Sequence, residues 1–299
     1  MRMSTCLTKP AKIFTFLSVE VYIVPGNQKI IEWRLNPHFR FKALPIVFFV
    51  EWARAGGEWT RLNPDNPVDS CLYLDENNYR CSVVNDVYYR VVAYDGVDEY
   101  NSKPAHTFGV LDAESWLIAR DIIRKEYLRL KKYVGTPGYI LKKRNHGPRC
   151  DACADFDTEE IIDTTCEDCF GTGFLQGYYD AIPYYFDLTG VTSTKDVALP
   201  FSVVDDKARQ ARGVAYPRLD TYDLWVTADS NRRFILRRVA EVVALRGVPL
   251  VYQVEMRRVP ATSPVYQVPL YQPLLPDQDP VIVSESGWRD GIDYMQPWE

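Results

Sequence analysis

The sequence predicts a mainly β protein with one long helix. Three observations carry that reading. Apolar and polar residues alternate with strand periodicity from about residue 15 to 108. The period then shifts to three and four residues between 112 and 134. Two Cys-x-x-Cys pairs follow within twenty residues of each other, at Cys150, Cys153, Cys166 and Cys169. The division is an N-terminal β-sandwich over 1–110, a connecting helix over 111–136 and a four-cysteine module over 137–182. A small antiparallel β-domain over 183–270 and an extended arm over 271–299 complete it.

The first strands are Lys29–Leu35 and Val47–Ala53, and the Gly56-Gly57 turn joins the latter to Glu58–Leu62 as a hairpin. Tyr88–Tyr94 is a later strand, and clusters such as Asn63-Pro64-Asp65-Asn66-Pro67 punctuate the series. Several short strands in fewer than a hundred residues fit a sandwich. The early Trp33, the string EWARAGGEWTRL and the string YYRVVAYDGVDEYNSKP resemble a fibronectin type III domain, over about a third of the chain. The resemblance implies a spacer or docking module and no chemistry.

The helix is expected to bury Trp116, Ala119, Ile123, Tyr127, Leu130 and Val134 on one stripe. Asp112 stands at the N-cap, Glu114 in the first turn, and Lys131 and Lys132 in the last, and Gly135 with Pro137 stops the run.

Four thiolates satisfy a tetrahedral zinc ion, and two Cys-x-x-Cys knuckles each supply two from a tight turn. Cys150, Cys153, Cys166 and Cys169 are therefore assigned to one structural zinc per chain, in a zinc-ribbon-like module. Gly171 and Gly173 follow the second knuckle, where positive φ lets backbone amides turn toward sulfur. The string Cys166-x-x-Cys169-x-Gly171-x-Gly173 resembles the zinc modules of DnaJ-type chaperones, although the J-domain with its His-Pro-Asp signature is absent. A shell of four thiolates leaves no place for a reactive water, so a structural ion is expected rather than a catalytic one.

Beyond the cysteines, Asp223–Val226, Arg233–Leu236, Val239–Leu245 and Pro249–Met256 read as consecutive strands, with turns at Asp229-Ser230-Asn231 and Arg246-Gly247. From Tyr271 to Glu299 the chain is proline-containing and aperiodic, an arm suited to strand addition or to aromatic anchoring through Trp298.

Composition bounds the function. A hydrophobic content of 46% supports real cores and excludes a disordered chain, and a net charge of -5 argues against a dedicated nucleic-acid binder. Twenty Tyr and seven Trp favour broad β-surfaces and protein interfaces. No apolar run approaches the ~18 residues of a membrane span. Glu20 interrupts the apolar Ile13–Val24 and no small-residue cleavage site follows, so a signal peptide is not expected. Seven cysteines without such a signal favour metal binding over disulfides. Cys6, Cys71 and Cys81 read as small apolar residues, with a Cys71–Cys81 bridge conceivable if their strands pair.

No phosphate loop, Gly-x-Ser-x-Gly elbow or His-Glu-x-x-His string is present, and His38, His106 and His146 are scattered. His38 and His146 are expected to face solvent. No enzyme is expected.

Charge is segregated: ten Lys/Arg oppose two Asp/Glu between 119 and 149, whereas 151–168 holds eight acids and no base. Three readings stand side by side: neutralisation within the fold or solvation, head-to-tail contact between neighbouring copies, and phosphate tracking. The candidate interface residues are Arg120, Arg124, Arg129, Lys142, Lys143 and Arg144, with Trp298.

Gly138-Tyr139-Ile140-Leu141-Lys142-Lys143-Arg144, the two knuckles and the Gly171-Thr172-Gly173-Phe174…Gly177-Tyr178-Tyr179 string resemble structural proteins of tailed-bacteriophage virions, over about residues 112–260. The resemblance is to the neck or head–tail-connector kind, with a baseplate position as the competitor. It implies a virion protein assembled in the bacterial host cytoplasm, a symmetric ring of copies touching portal, adaptor or tail proteins, and no enzymatic activity. A zinc-ribbon nucleic-acid binder is the alternative from another class, although nucleic acid is not expected as a specific ligand.

Overall fold

The computed structural model describes residues 14–24, 28–36, 38–75, 86–153, 165–188 and 209–270. Cys6, Cys81, the arm over 271–299 with its Trp298, and most of the acidic stretch lie outside the described residues.

The first half is two facing antiparallel sheets. One contains β1 (Phe16–Val24), β2 (Gln28–Leu35) and β5 (Leu72–Asp75), in the order β1-β2-β5. The other contains β3 (Val47–Arg54), β4 (Thr60–Arg61), β6 (Val87–Tyr94) and β7 (Glu99–Asn101) in the order β4-β3-β6-β7, with β8 (Ala105–His106) on β6. The expected hairpin is present: Trp52 pairs with Thr60 and Glu51 with Arg61 across a turn in which Gly56 has φ +73°.

Strand alternation gives the first sheet two working faces. Ile31, Trp33 and Leu35 join Phe48, Val50, Tyr89 and Val91 in the sandwich core, with Val19, Val21 and Tyr73 beside them. Their neighbours Ile30, Tyr22, Leu72 and Leu74 point the other way, into the core of the second half. The sheet is thus shared by two cores.

The helix α1 (Ala113–Arg129) continues as one turn of π-helix, Leu130–Val134. The Asp112 carboxylate accepts from the Ser115 N–H at 2.8 Å, closing the N-terminus as its sequence position predicts. Trp116, Ala119, Ile123, Tyr127 and Leu130 are buried, so the predicted stripe is the packed face. It lies against the second core, where the Tyr127 and Tyr185 rings meet edge to face at 5.8 Å.

The second half is a closed barrel of β9 (Gly135–Leu141), β10 (Ile182–Asp187), β11 (Arg209–Val214), β12 (Leu224–Thr227), β13 (Arg233–Leu245) and β14 (Val248–Arg258). The circular order is β10-β11-β14-β13-β12-β9, with every pair antiparallel. Closure leaves no strand edge along the path. Tyr184, Phe186, Trp225 and Phe234 form a chain of ring contacts at its centre, with centroids 4.6–5.5 Å apart.

Three sequence boundaries shift. Residues 135–141 and 182–187, which the sequence divides among the connecting helix, the cysteine module and the small β-domain, are barrel strands paired from Ile140↔Ile182 to Gly135↔Asp187. The module is therefore an insertion in a barrel hairpin. The stretches 233–236 and 239–245 are one strand, because the register shift between Leu236 and Arg238 absorbs a residue without ending the ladder.

Candidate metal centre

Beyond β9 and ahead of β10 the chain continues as a narrow antiparallel ribbon. Tyr179 N–H donates to Lys142 O, Arg144 N–H to Gly177 O, Leu175 N–H to Pro148 O and Cys150 N–H to Gly173 O, all within 2.9–3.0 Å. The ribbon delivers Cys150 and Cys153 from one side and Cys166 and Cys169 from the other. Gly171 and Gly173 adopt φ +74° and +80°, as expected for the turn after a knuckle.

The four sulfurs lie within 4.8 Å of one another. Cys150, Cys153 and Cys169 are buried and Cys166 is half-buried. Cys150 Sγ is 3.7 Å from Cys166 Sγ, and Cys153 Sγ is 2.9 Å from Cys169 Sγ. A tetrahedral ion with metal–sulfur bonds of ~2.3 Å needs sulfur–sulfur edges of ~3.8 Å. One observed separation is close to that edge and the other is shorter, and both are too long for the ~2.05 Å of a disulfide. Backbone N–H groups of Cys169 and Asp168 hydrogen-bond Cys166 and hold its thiol below the ordinary range. The Ala152 N–H does the same toward Cys150, although burial keeps that thiol raised. Donors aimed at sulfur are what a thiolate cluster requires to carry its charge. The set fits a tetrahedral metal, and four protein ligands leave such an ion no open position for a substrate or water.

No protein-family model matches the chain, and no curated protein matches it either. The chemistry of the site therefore rests on its own geometry.

Two of the ribbon's basic residues, Lys142 and Arg144, turn inward. Lys142 Nζ lies 2.9 Å from Asp220, 3.0 Å from Asp223 and 3.9 Å from Glu32, and it is buried. Burial alone would lower its ammonium, but Asp223, Glu32 and Asp220 together hold it above its usual range. Burial pushes the Glu32 carboxyl up to about 7 against the pull of Lys142. Glu32 Oε2 also accepts from the Arg218 N–H at 2.8 Å. Arg34 pairs with Asp220, and Arg218 with Glu20 at 3.0 Å. Glu20, Glu32 and Arg34 belong to the sandwich, the others to the barrel and its loops, so this network sits on the junction. Arg144 adds a second tie, donating to both Asp69 oxygens at 3.2 and 3.0 Å.

Of the proposed interface residues, Lys142 and Arg144 are buried in these pairs. Arg129 pairs with Glu126 at 2.9 Å and Asp187 at 3.0 Å. Lys143 lies over the Tyr222 ring at 5.4 Å, and Arg120 over Trp116 at 5.3 Å. Arg124 is half-buried on α1.

His146 departs from the solvent-facing position expected of it, while His38 is exposed as expected. The His146 ring is buried, edge-on to Phe48 of β3 at 5.2 Å, with Nδ1 2.6 Å from the Tyr179 hydroxyl and 2.9 Å from Asn145 Oδ1. Burial lowers its pKa to about 4, so the neutral ring is the folded form at neutral pH. Its burial had no signature in sequence, because its partners Phe48 and Tyr179 lie on separate segments. Among the described residues the metal-ligating cluster contains cysteines alone.

Proposed function

We propose that this chain is a non-enzymatic structural protein of a tailed-phage particle, forming a symmetric ring at the neck or head–tail connection. A single zinc ion held by Cys150, Cys153, Cys166 and Cys169 stiffens its central joint. The observation that carries the mechanical part is the convergence of four sulfurs within 4.8 Å at the end of the barrel-hairpin ribbon. That ribbon also bears Lys142, Arg144 and His146, the side chains that engage the junction or the sandwich. An ion that fixes the knuckles thereby fixes how these side chains present themselves, and it does so without an open coordination position. The virion assignment rests on the resemblance of residues 112–260, and a baseplate ring is the neighbouring reading. The burial of Lys142 and Arg144 in ion pairs within the chain favours neutralisation inside the fold over phosphate tracking, since paired and buried cations are offered neither to nucleic acid nor to a neighbouring copy.

The test has two arms. Metal analysis of the purified chain is expected to give one zinc per polypeptide, lost in Cys166→Ser and retained in His146→Ala. Electron microscopy of particles carrying this chain is expected to place it in a ring with several copies. A chain absent from the particle, or present as a lone copy, overturns the assignment.

A further inference from the structure

The two sheets of the sandwich end in four strands of unequal length. β5 has four residues, β4 two and β7 three, which give another chain little to pair with. β1 has nine, and from Ser18 to Val24 it stays in unbroken register with β2. On its other side no described strand pairs with it, and no backbone N–H or C=O of residues 18–24 has a partner there among the described residues. In an antiparallel ladder every second residue turns both groups to that side. The strand lies at the surface: residues 16 and 18–22 are half-buried and Leu17 is 63% exposed, whereas β2 is buried over 29–33. The devices that blunt an edge are sparse. No proline interrupts β1, the register shift at Leu17 falls at its start, and its one charge, Glu20, is engaged by Arg218. A row of unanswered donors and acceptors of this length fits one more strand.

This chain contains a segment suited to that place. Within 271–299, Val281-Ile282-Val283 is the one run of three β-branched residues, and the stretch 281–286 is bounded by Pro280 and Gly287 as strands are. Leu270, which precedes the segment, packs in the cluster of Leu224 and Val226 of β12. From there the chain to Val281 reaches up to ~40 Å when extended, enough to cross to a molecule packed alongside. We propose that the open side of β1 receives residues 281–286 of a second copy of this chain as an added strand. Main-chain hydrogen bonds to alternate residues of 18–24 supply the attachment, and the side chains set the register. Val281 and Val283 extend the sandwich-core row of Val19 and Val21, while Ile282 and Ser284 lie on the side of Ser18 and Glu20. Donor segment and receiving edge are different surfaces, so the contact is head-to-tail and repeats around a closed assembly. The inference rests on the ring reading and adds the contact that would build it.

Photocross-linking of the full chain tests it. A photoreactive p-benzoyl-phenylalanine replaces Leu17, an exposed side chain beside the edge, and ¹⁴N- and ¹⁵N-labelled chains are mixed before irradiation. Mixed-isotope cross-links from position 17 to peptides covering 276–290 are the expected result. The double variant Ile282→Pro/Val283→Pro removes two consecutive N–H groups, one of which must face β1. It should lower the yield at least about tenfold, the equivalent of ~1.4 kcal/mol, with Ile282→Val/Val283→Ile close to the parent. In the same proline variant, hydrogen exchange at the edge-facing amides of 18–24 should be at least about ten times faster than in the parent. Cross-links confined to other surfaces, found only within one isotope, or indifferent to the prolines overturn the proposal. Sedimentation of the same samples separates the two ideas: a ring without these cross-links sinks the edge assignment alone, whereas a monomer sinks the ring as well.

Discussion

Lys142 Nζ stands 3.0 Å from the carboxylate of Asp223, with the two side chains only 6% and 1% exposed. The lysine follows β9 and the aspartate precedes β12, two strands that pair through Leu141 and Leu224. The barrel ladder therefore brings together the charges that hold the sandwich, because Glu32 of β2 approaches the same ammonium.

Lys142→Met should cost about 3–5 kcal/mol, since it leaves Asp223, Asp220 and Glu32 facing one another without their shared cation. Like-charged carboxylates repel only when ionised, so the loss should be larger at pH 8 than at pH 6. Urea unfolding of parent and variant at the two pH values measures it, and an equal or smaller loss at pH 8 contradicts the network.

His146 predicts a pH effect of definite sign. Its pKa of about 4 in the fold lies below the ~6.5 of an unfolded histidine, so between those values the unfolded chain binds more protons. Stability from this group is complete above pH ~6.5 and is lost as the pH falls toward 4, by up to about 3 kcal/mol. The raised carboxyl of Glu32 acts in the opposite direction within part of that window. The difference between parent and His146→Gln isolates the histidine: the variant should lose less stability than the parent between pH 7 and 4.5. Parallel curves would show that the ring is not buried.

Removal of the metal should loosen one region and spare another. In Cys169→Ser, or after chelation, amides of the 142–150 and 172–179 ribbon should exchange at least ten times faster, because binding free energy at such a site is local folding free energy. Amides of the β13–β14 ladder should keep most of their protection. Uniform loss across the chain would mean that the ion supports the whole fold, and no change would mean that it supports nothing.

Gly138 sits in β9 where an added Cβ would overlap the Val226 carbonyl and the Trp225 indole nitrogen. Gly138→Ala should cost about 1–3 kcal/mol by forcing strand and ring apart. Thermal unfolding reads it out, with Gly56→Ala as a comparison in which strain arises from backbone φ alone, because nothing lies within 4 Å of the added carbon.

What was legible in sequence had local causes. The helix is legible in the spacing of Trp116, Ala119, Ile123, Tyr127 and Leu130 and in the Asp112 cap, all of which act within a few turns of one another. Strands β2, β3 and β6 show in alternating apolar residues, and the four cysteines in their spacing. Strands β9 and β10 do not, because Pro137, Gly138 and Pro183 suppress strand propensity and only pairing with distant segments makes those residues strands. The burial of Lys142, Arg144 and His146 was equally hidden. A run of basic residues looks the same in sequence whether Asp69, Asp223 and Glu32 come to meet it or water does.

The two-sided sheet has a consequence for descent. A recombination joint near residue 110, where the motifs would suggest a seam, would strip Ile30, Leu72 and Leu74 of the neighbours they cover. It would also leave Glu32 with no lysine opposite. The front and rear portions of this chain must therefore be inherited together, and a substitution on β2 in one lineage should be answered by a matching change on the barrel side.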